Sequence, residues 1–275
     1  MQLVGVQLDI AWEDRAANFA RVAELLSRHR PAPGALVALP EMFASGFSMN
    51  VERIAESEAR ATETFLCGMA GEYGVYLVGG LVTIGEDGRG RNEAVVAGPD
   101  GRVAARYQKI HPFSPGREAQ HYAGGESIAT FDWGAAIVSP FVCYDLRFPE
   151  VFRAAAQRGA SVMVVIANWP SARAEHWVTL LRARAIENQA YVLGVNRCGR
   201  DPFLAYPGRS LIADYRGEIL ADAGANEGVI SADVDLAGQA KYRDELPFLG
   251  DAKRDLSGLW GPSGEARNPE PGNPK

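Results

Sequence analysis

Three residues of complementary chemistry, a carboxylate, an amine and a thiol, each stand where an apolar run of the chain ends. Glu41 follows ALVALP, Lys109 follows RVAARYQ, and Cys143 follows GAAIVSPFV. After Cys143 the chain enters a helix-like stretch led by Pro149. A cysteine at such a corner can be exposed, rigidly held and close to the positive end of a helix dipole. Cys143 is therefore the candidate nucleophile.

The three residue types together suit the hydrolysis of an amide. A free thiol with a pKa of about 8.5 is only a few per cent ionised at neutral pH, so it needs a neighbouring base. Glu41 is the candidate base, able to accept the thiol proton, pass it to departing ammonia and then activate water. Lys109 would offset the negative charge of the tetrahedral intermediate, assisted by the backbone N–H of Tyr144.

Taken alone, each of these residues has an ordinary structural explanation. An isolated cysteine is usually a small buried hydrophobic residue. We interpret Cys67 in that way, and also Cys198, although its place after the apolar YVLGVN brings it near a strand end and a possible cleft. Glutamate and lysine are most often solvated surface charges. The chemical hypothesis depends on all three residues occurring at the same kind of position.

The sequence around these residues resembles the nitrilase superfamily of carbon–nitrogen hydrolases. The resemblance is carried by LPEMF, YQKIHPF and VCYDLRFPE, the three motifs in their usual order, and extends from about residue 1 to residue 246. It implies that Glu41, Lys109 and Cys143 form the catalytic triad. It also implies that Glu118 is the second glutamate that many members place beside the nucleophile, to position the substrate and Lys109. The implied fold is α/β, an αββα sandwich of two mixed sheets with outer helices.

Within the superfamily, ANWPSAR beside CYDLRFP resembles the omega-amidase branch, whose members hydrolyse the terminal amide of 2-oxoglutaramate and 2-oxosuccinamate. If the loop after SVMVVI borders the Cys143 pocket, Trp169 forms an aromatic wall and Arg173 pairs with a substrate carboxylate. A core position for Trp169 and a solvated one for Arg173 are the alternatives. We interpret Asp145 and Arg147 as structural residues of the turn.

The triad does not separate this activity from related ones. A deaminated glutathione amidase, an N-carbamoyl hydrolase and a true nitrilase remain alternatives. A non-catalytic or redox-sensing thiol scaffold is an alternative of a different class. The presence of Glu41 and Lys109 counts against it, as does the lack of a resolving cysteine near Cys143.

Composition favours one enzyme domain with a small-molecule amide as its partner. The 275 residues, 47% of them hydrophobic, are enough for a single domain over 1–255, and the Pro-, Asn- and Gly-rich end at 256–275 is expected to be flexible. With 34 acidic against 28 basic residues and dispersed arginines, nucleic acid and anionic membrane are disfavoured. The scattered histidines and the absence of a phosphate-binding glycine motif predict neither a metal nor another cofactor.

Two further expectations concern location and assembly. Three widely spaced cysteines, without a signal peptide or an apolar span, suit the reducing cytoplasm. The resemblance implies at least a homodimer, and the candidate surfaces are FPEVFRAAAQRGA and HWVTLLRARAIENQ. We expect the segment 236–255, with Leu246, Phe248 and Leu249 as apolar anchors, to extend across a neighbouring subunit; the alternative is that it folds back on its own chain.

Periodicity and turn residues give a coarse map of the elements. Strands are predicted near 2–8, 35–39, 75–83, 92–97, 102–107, 127–131, 135–142, 161–167, 190–196, 208–214 and 228–234, and helices near 15–29, 58–73, 148–158 and 172–188. Asp100 and Gly101 in GPDGR, and Gly217 in DYRGE, predict tight hairpin turns. A purely parallel arrangement is therefore excluded.

Overall fold

The structure is a computed structural model that describes residues 1–253. Its strands are β1 (Gln2–Gln7), β2 (Leu36–Ala38), β3 (Tyr76–Ile84), β4 (Gly90–Ala97), β5 (Val103–Gln108), β6 (Phe131–Trp133), β7 (Ala136–Val142), β8 (Val162–Ala167), β9 (Tyr191–Asn196), β10 (Cys198–Arg200), β11 (Ala205–Pro207), β12 (Leu211–Ala213), β13 (Ile219–Asp222) and β14 (Gly228–Asp233). Its α-helices are α1 (Arg15–His29), α2 (Val51–Ile54), α3 (Ala61–Tyr73), α4 (Glu118–His121), α5 (Pro149–Gln157), α6 (Ala174–Asn188), α7 (Leu236–Glu245) and α8 (Phe248–Asp251). Short 3-10 helices cover Ser114–Gly116, Cys143–Arg147 and Ser171–Arg173.

Residues 1–253 form two six-stranded sheets and one small hairpin. The first sheet has the order β14-β1-β2-β3-β4-β5, and the second has the order β13-β12-β9-β8-β7-β6. In each sheet three consecutive strands pair in parallel, and every other pairing of neighbouring strands is antiparallel. The predicted hairpin turns are confirmed: Gly101 between β4 and β5 and Gly217 between β12 and β13 both have positive φ, which glycine adopts at little cost. Both sheets are therefore mixed.

The sheets pack face to face, and helices cover their outer faces. Helices α1 and α3 bury Val22, Leu26 and Leu66 against the outer face of the first sheet. Helices α5 and α6 bury Phe152, Trp177 and Leu181 in the core that also holds the inner faces of both sheets. This is the αββα sandwich that the resemblance implied, and that prediction is confirmed.

The topology brings the ends of several strands to one edge of the sandwich. Strands β2, β7 and β8 are parallel members of the two sheets, and Glu41, Cys143 and Asn168 follow them within a few residues. Strand β5 runs in the same direction as β3, because it pairs antiparallel with β4 and β4 pairs antiparallel with β3. Lys109, directly after β5, therefore emerges at the same edge.

The C-terminal segment differs from its prediction. Instead of extending from the molecule, Leu236–Glu245 forms α7 and folds back on its own chain. The Gln239 amide donates to the carbonyls of Ser161 (2.8 Å) and Gln189 (2.9 Å), and the Arg243 guanidinium donates to the Gln189 carbonyl (3.0 Å). The Gln189 carbonyl, just beyond the end of α6, thus accepts two side-chain donors, while the Ser161 carbonyl also accepts the backbone N–H of Tyr191 at 3.0 Å.

Several boundaries also differ from the predictions. The strand expected at 127–131 begins only at Phe131, and the helix expected at 58–73 begins at Ala61. The hairpin of β10 and β11 was not predicted. The flexible tail expected at 256–275 lies outside the described residues. Over residues 1–253 no helix combines the length and the apolar composition needed to cross a membrane.

Candidate active site

Lys109 lies between two carboxylates at the edge where the strands end. Its Nζ is 3.0 Å from Glu41 Oε1 and 2.8 Å from Glu118 Oε2. The side chains of all three residues are at most 1% exposed. Glu118 is held in turn by the backbone N–H of Phe113, which donates to Oε2 at 2.5 Å. The structure thus brings the predicted base, the predicted cation and the second glutamate into one buried cluster.

Two asparagines complete the hydrogen bonding of the carboxylates. Asn92 Nδ2 donates to Oε1 of both Glu41 (2.7 Å) and Glu118 (2.9 Å). From the end of β8, Asn168 donates its backbone N–H to Glu41 Oε2 (2.8 Å) and its Nδ2 to the Glu41 carbonyl (2.6 Å). Each oxygen of Glu41 therefore accepts a hydrogen bond, as a buried carboxylate requires.

The backbone around Glu41 fits only because β3 carries a glycine beside it. A Cβ at Gly80 would stand 2.3 Å from Met42 N and 2.6 Å from Glu41 Cα. Met42 itself has a φ of 44°, a conformation that is rare for a residue with a side chain. Glu41 is therefore fixed by its backbone path as well as by its hydrogen bonds.

Cys143 stands on a strained turn between β7 and the helices that follow. Its φ is 48°, which costs a residue with a side chain about 1–3 kcal/mol. Asp145 supports this turn through both of its carboxylate oxygens. Its Oδ2 accepts hydrogen bonds from Val142 N (3.2 Å) and Tyr107 Oη (2.7 Å), and its Oδ1 accepts one from His111 N (3.0 Å). Because Tyr107 and His111 flank Lys109 in sequence, Asp145 ties the cysteine turn to the segment that carries the lysine. The structural interpretation of Asp145 agrees with these contacts.

Electrostatics make the resting cysteine a thiol and Glu41 a carboxylate. Burial alone would raise the pKa of Glu41, but Lys109 and the hydrogen bonds from Asn92 and Asn168 hold it below the ordinary value. Burial, reinforced by the charge of Glu41, raises the pKa of Cys143 well above that of a free thiol. The pKa of Lys109 is raised well above its ordinary value because Glu118 and Glu41 outweigh the effect of burial. A thiolate would add a second uncompensated negative charge to this cluster.

A cavity of about 40 Å³ lies over Cys143. The predicted binding residues Tyr144, Trp169 and Arg173 all line it together with Cys143, whereas the buried charged side chains of the cluster do not. Trp169 is also 2% exposed and packs against Trp177, so it is both a core residue and a wall of the cavity. Its remaining walls include Phe47, Phe113, Asn168, Pro170, Leu204 and Tyr206.

The cavity carries positive charge without a compensating carboxylate. Arg173 and Arg147 both line it, and no acidic residue does. Arg173 lies over the Phe113 ring at 5.5 Å, and Arg147 lies over the Trp169 ring at 4.9 Å. Within residues 1–253 neither guanidinium is within ion-pair distance of a carboxylate, and Arg147 reaches only His176 Nδ1, at 3.2 Å.

Arg147, Asn92 and Asn168 are among the site residues that the sequence interpretation missed. Arg147 was assigned to the turn alone, which was wrong, because it forms part of the cavity wall. Its position four residues after Cys143, at the other end of the same 3-10 helix, was the signal that could have placed it there. Asn92 gave no comparable signal, since NEAVV looks like ordinary strand sequence.

The other thiols lie away from this cluster. Cys67 is half-buried on α3, and Cys198 is buried in β10; neither lines the cavity. Burial raises the pKa of Cys198 to about 12. Among residues 1–253, no group of three or more histidine, cysteine, aspartate or glutamate side chains is arranged to hold a metal ion.

The chain is similar to known proteins over most of its length. Residues 5–244 match the family model described as Carbon-nitrogen hydrolase. The chain is 32% identical to the 2-oxoglutaramate amidase of Bacillus subtilis over 91% of its length and 97% of that protein. It is 36% identical to the omega-amidase YafV of Yersinia enterocolitica, over 93% of its length and 98% of that protein. The crystal structure of XC1258 from Xanthomonas campestris, a CN-hydrolase superfamily protein, superposes with a TM-score of 0.86 at 33% identity, covering 93% of this chain and 98% of that one.

Proposed function

The chain belongs to the carbon-nitrogen hydrolase family and is a hydrolase of non-peptide carbon–nitrogen bonds, and on that premise we propose that it is a cysteine-dependent omega-amidase. The proposed substrate is a small 2-oxo acid with a terminal amide, of the 2-oxoglutaramate and 2-oxosuccinamate type. The observation that carries this proposal is the cavity over Cys143, which has two arginines and no acidic residue in its wall.

The first half of the reaction acylates the cysteine. As Cys143 Sγ bonds to the amide carbon, Glu41 takes the thiol proton, because the thiol is not ionised beforehand. The carbonyl oxygen becomes an oxyanion that the Lys109 ammonium and the Tyr144 backbone N–H stabilise. Glu41 then returns the proton to the nitrogen, the carbon–nitrogen bond breaks, and ammonia leaves a thioester on Cys143.

The second half releases the product. A water molecule attacks the thioester while Glu41 takes one of its protons, and a second oxyanion forms at the same place. The carbon–sulfur bond breaks, the proton on Glu41 returns to the sulfur, and a carboxylic acid departs, ionising in solution. Glu118 and Asn92 keep their contacts with Lys109 and Glu41 throughout, so the charges need little rearrangement between the two halves.

The arginines explain why the substrate should carry a carboxylate. A guanidinium binds a carboxylate through two parallel hydrogen bonds, and such charge-assisted bonds are roughly twice as strong as neutral ones. Arg173 and Arg147 stack on Phe113 and Trp169, which holds them at the cavity wall. The relatives named for 2-oxoglutaramate and omega-amide hydrolysis support the same substrate class.

Ammonia release from a panel of compounds tests the proposal. We expect kcat/KM for 2-oxosuccinamate and 2-oxoglutaramate to exceed that for an uncharged amide or nitrile of similar size by about 100-fold, the value of one or two charge-assisted hydrogen bonds. Arg173→Ala and Arg147→Ala should each weaken binding of the charged substrates about 10-fold or more and change turnover of the neutral amide little.

Arg102→Ala is the matched control, because it removes an exposed arginine near the β4–β5 turn. It should leave all the rates unchanged. Equal efficiency on charged and uncharged amides would refute the carboxylate proposal while leaving the amidase activity in place. Preference for a nitrile or an N-carbamoyl compound would instead move the protein to another activity of the family.

Assembly and location follow as further parts of the proposal. We place the protein in the cytoplasm, because Cys67, Cys143 and Cys198 are free thiols that an oxidising compartment would endanger. We also propose a homodimer built on the outer surfaces of α5 and α6, where Ile186 remains 48% exposed.

A further inference from the structure

Asn92 contacts three of the charged residues at the site. From β4, its carbonyl accepts the backbone N–H of Lys109 at 2.8 Å. Its Nδ2 donates to Glu41 Oε1 at 2.7 Å and to Glu118 Oε1 at 2.9 Å. The residue is 1% exposed, so water does not compete for these bonds. Asn92 therefore binds both carboxylates through its neutral side chain and the Lys109 backbone through its own carbonyl.

The chemistry of its neighbours fixes the orientation of the Asn92 amide. Its Oδ1 is buried and has no hydrogen-bond partner within residues 1–253. Exchanging the oxygen and the nitrogen would place Oδ1 against two carboxylate oxygens, none of which donates a proton. The unpartnered oxygen is therefore the cost of directing both amide protons at Glu41 and Glu118.

The charge balance explains why a neutral donor is needed here. Two buried carboxylates face one ammonium, so Lys109 alone leaves one negative charge uncompensated. An aspartate at position 92 would add a third carboxylate to the cluster. An alanine there would leave Lys109 as the only hydrogen-bond donor to Oε1 of Glu41 and Oε1 of Glu118 among residues 1–253. Asparagine supplies two donors without changing the net charge of the cluster.

We propose that Asn92 is a positioning residue that orients Glu41 and keeps it ionised as the general base. This inference rests on the proposed roles of Glu41 and Cys143. Asn92 does not touch the reacting atoms; it acts through Glu41. Its contribution is therefore expected in the pH dependence of the reaction, where a merely structural residue would have none.

Several other titratable groups surround Glu41 and bear on its protonation. They are Lys109 after β5, Glu118 in α4, Cys143 after β7, Tyr122 after α4 and Tyr206 in β11. Burial raises the pKa values of Tyr122 and Tyr206, so both stay neutral through the range in which the enzyme works. The protonation of a carboxylate at this cluster is therefore the event that limits activity on the acid side.

The test compares the native protein with Asn92→Asp and Asn92→Ala. In the native protein kcat/KM should fall at acid pH as Glu41 takes up a proton. Losing the donor raises the pKa of Glu41, so in Asn92→Ala this acid limb should move up by about one pH unit, and further in Asn92→Asp. On that acid limb the rate of Asn92→Ala should fall below the native rate by up to about 10-fold, the size of a one-unit shift, and it should recover as the pH rises toward neutrality.

A second measurement does not depend on the substrate. Alkylation of Cys143 by iodoacetamide, followed by intact-protein mass, should show the same displacement of its acid limb. Asn188→Ala is the matched control: Asn188 is as buried as Asn92, but its amide donates to the Arg184 carbonyl, far from the charged cluster in sequence. It should lower stability and leave both pH profiles unchanged.

The outcomes separate this inference from the proposed function. If Asn92→Ala is too unstable to assay, Asn92→Asp keeps the size of the side chain and carries the test. Acid limbs that coincide with those of the native protein in both measurements would overturn the positioning role. Failure of the native protein to release ammonia from the omega-amides would instead overturn the substrate proposal, while the alkylation profiles would still test Asn92.

Discussion

Replacing Lys109 with methionine removes the cation and keeps most of the volume of the side chain. In the native protein the ammonium donates to Glu41 Oε1 and to both carboxylate oxygens of Glu118, at 2.8 to 3.1 Å, and the three side chains are at most 1% exposed. Without it, two buried carboxylates face each other through Asn92. We expect turnover to fall at least 1,000-fold, because the oxyanion loses the charge that stabilises it.

The same change should destabilise the fold. Removing one partner of a buried ion pair costs about 3–5 kcal/mol, because the other charge is left uncompensated. For a chain of this length that corresponds to a fall in Tm of roughly 6–20 °C. The loss should depend on pH, because Glu41 can escape its uncompensated charge by taking up a proton.

The sign of that dependence distinguishes this mechanism from a simple packing defect. In the native protein the pKa of Glu41 is lowered, so its stabilising contribution is present above the unfolded value of about 4.3 and is lost as the pH falls through the folded value. In Lys109→Met the pKa of Glu41 should be raised instead. The variant should then lose stability as the pH rises above about 4.3, so its deficit is larger at about pH 8 than at about pH 5.

The stability of both proteins is compared by urea unfolding across this pH range. Their turnover is compared by ammonia release under folding conditions. Lys241→Met is the control: Lys241 is 78% exposed and 3.7 Å from Glu245, and its loss should cost at most about 0.5 kcal/mol at any pH. A deficit for Lys109→Met that stays constant with pH would refute the charge argument. Retained turnover would refute the catalytic role of the lysine.

Three further predictions follow from the packing and the assembly. Gly80→Ala should reduce kcat about 10-fold or more and lower the Tm, because the new Cβ would displace the Glu41 backbone. Gly68→Ala on α3, where nothing lies within 4 Å of the new Cβ, should instead stabilise the fold by about 1 kcal/mol. Equal behaviour of the two variants would refute the packing argument. Glu118→Gln should lower kcat at least 10-fold in a folded protein, as steady-state kinetics would show, and a normal rate would exclude its positioning role. Light scattering over a dilution series should report a dimer, and an active monomer at every concentration would contradict the proposed α5 and α6 interface.

The sequence was sufficient for the parts of the fold that depend on local patterns. Apolar runs and glycine turns predicted the main strands and the hairpin turns of β4–β5 and β12–β13, and the ends of those runs located Glu41, Lys109 and Cys143. Helix α7 was missed because it has no clear apolar face, and contacts of Gln239 and Arg243 with distant carbonyls hold it in place.

The residues that modify the site were harder to find than the residues that form it. The closeness of Arg147 to Cys143 in sequence was a signal for the cavity, but the apolar pattern of the chain does not show that the turn between them is a 3-10 helix. The role of Asn92 depends on the convergence of residues 26 and 51 positions away in sequence. No local pattern records such a meeting, since it is created by the pairing of the strands.

The account depends most on Cys143 as the nucleophile, and ammonia release by the three single cysteine variants tests this most directly. With 2-oxosuccinamate as substrate and the folded fraction checked by circular dichroism, Cys143→Ala should release no ammonia above the uncatalysed rate. Cys67→Ala and Cys198→Ala, which remove thiols outside the cavity, should keep the native rate. A folded Cys143→Ala protein that still turns over, or an equal loss in all three variants, would contradict the account.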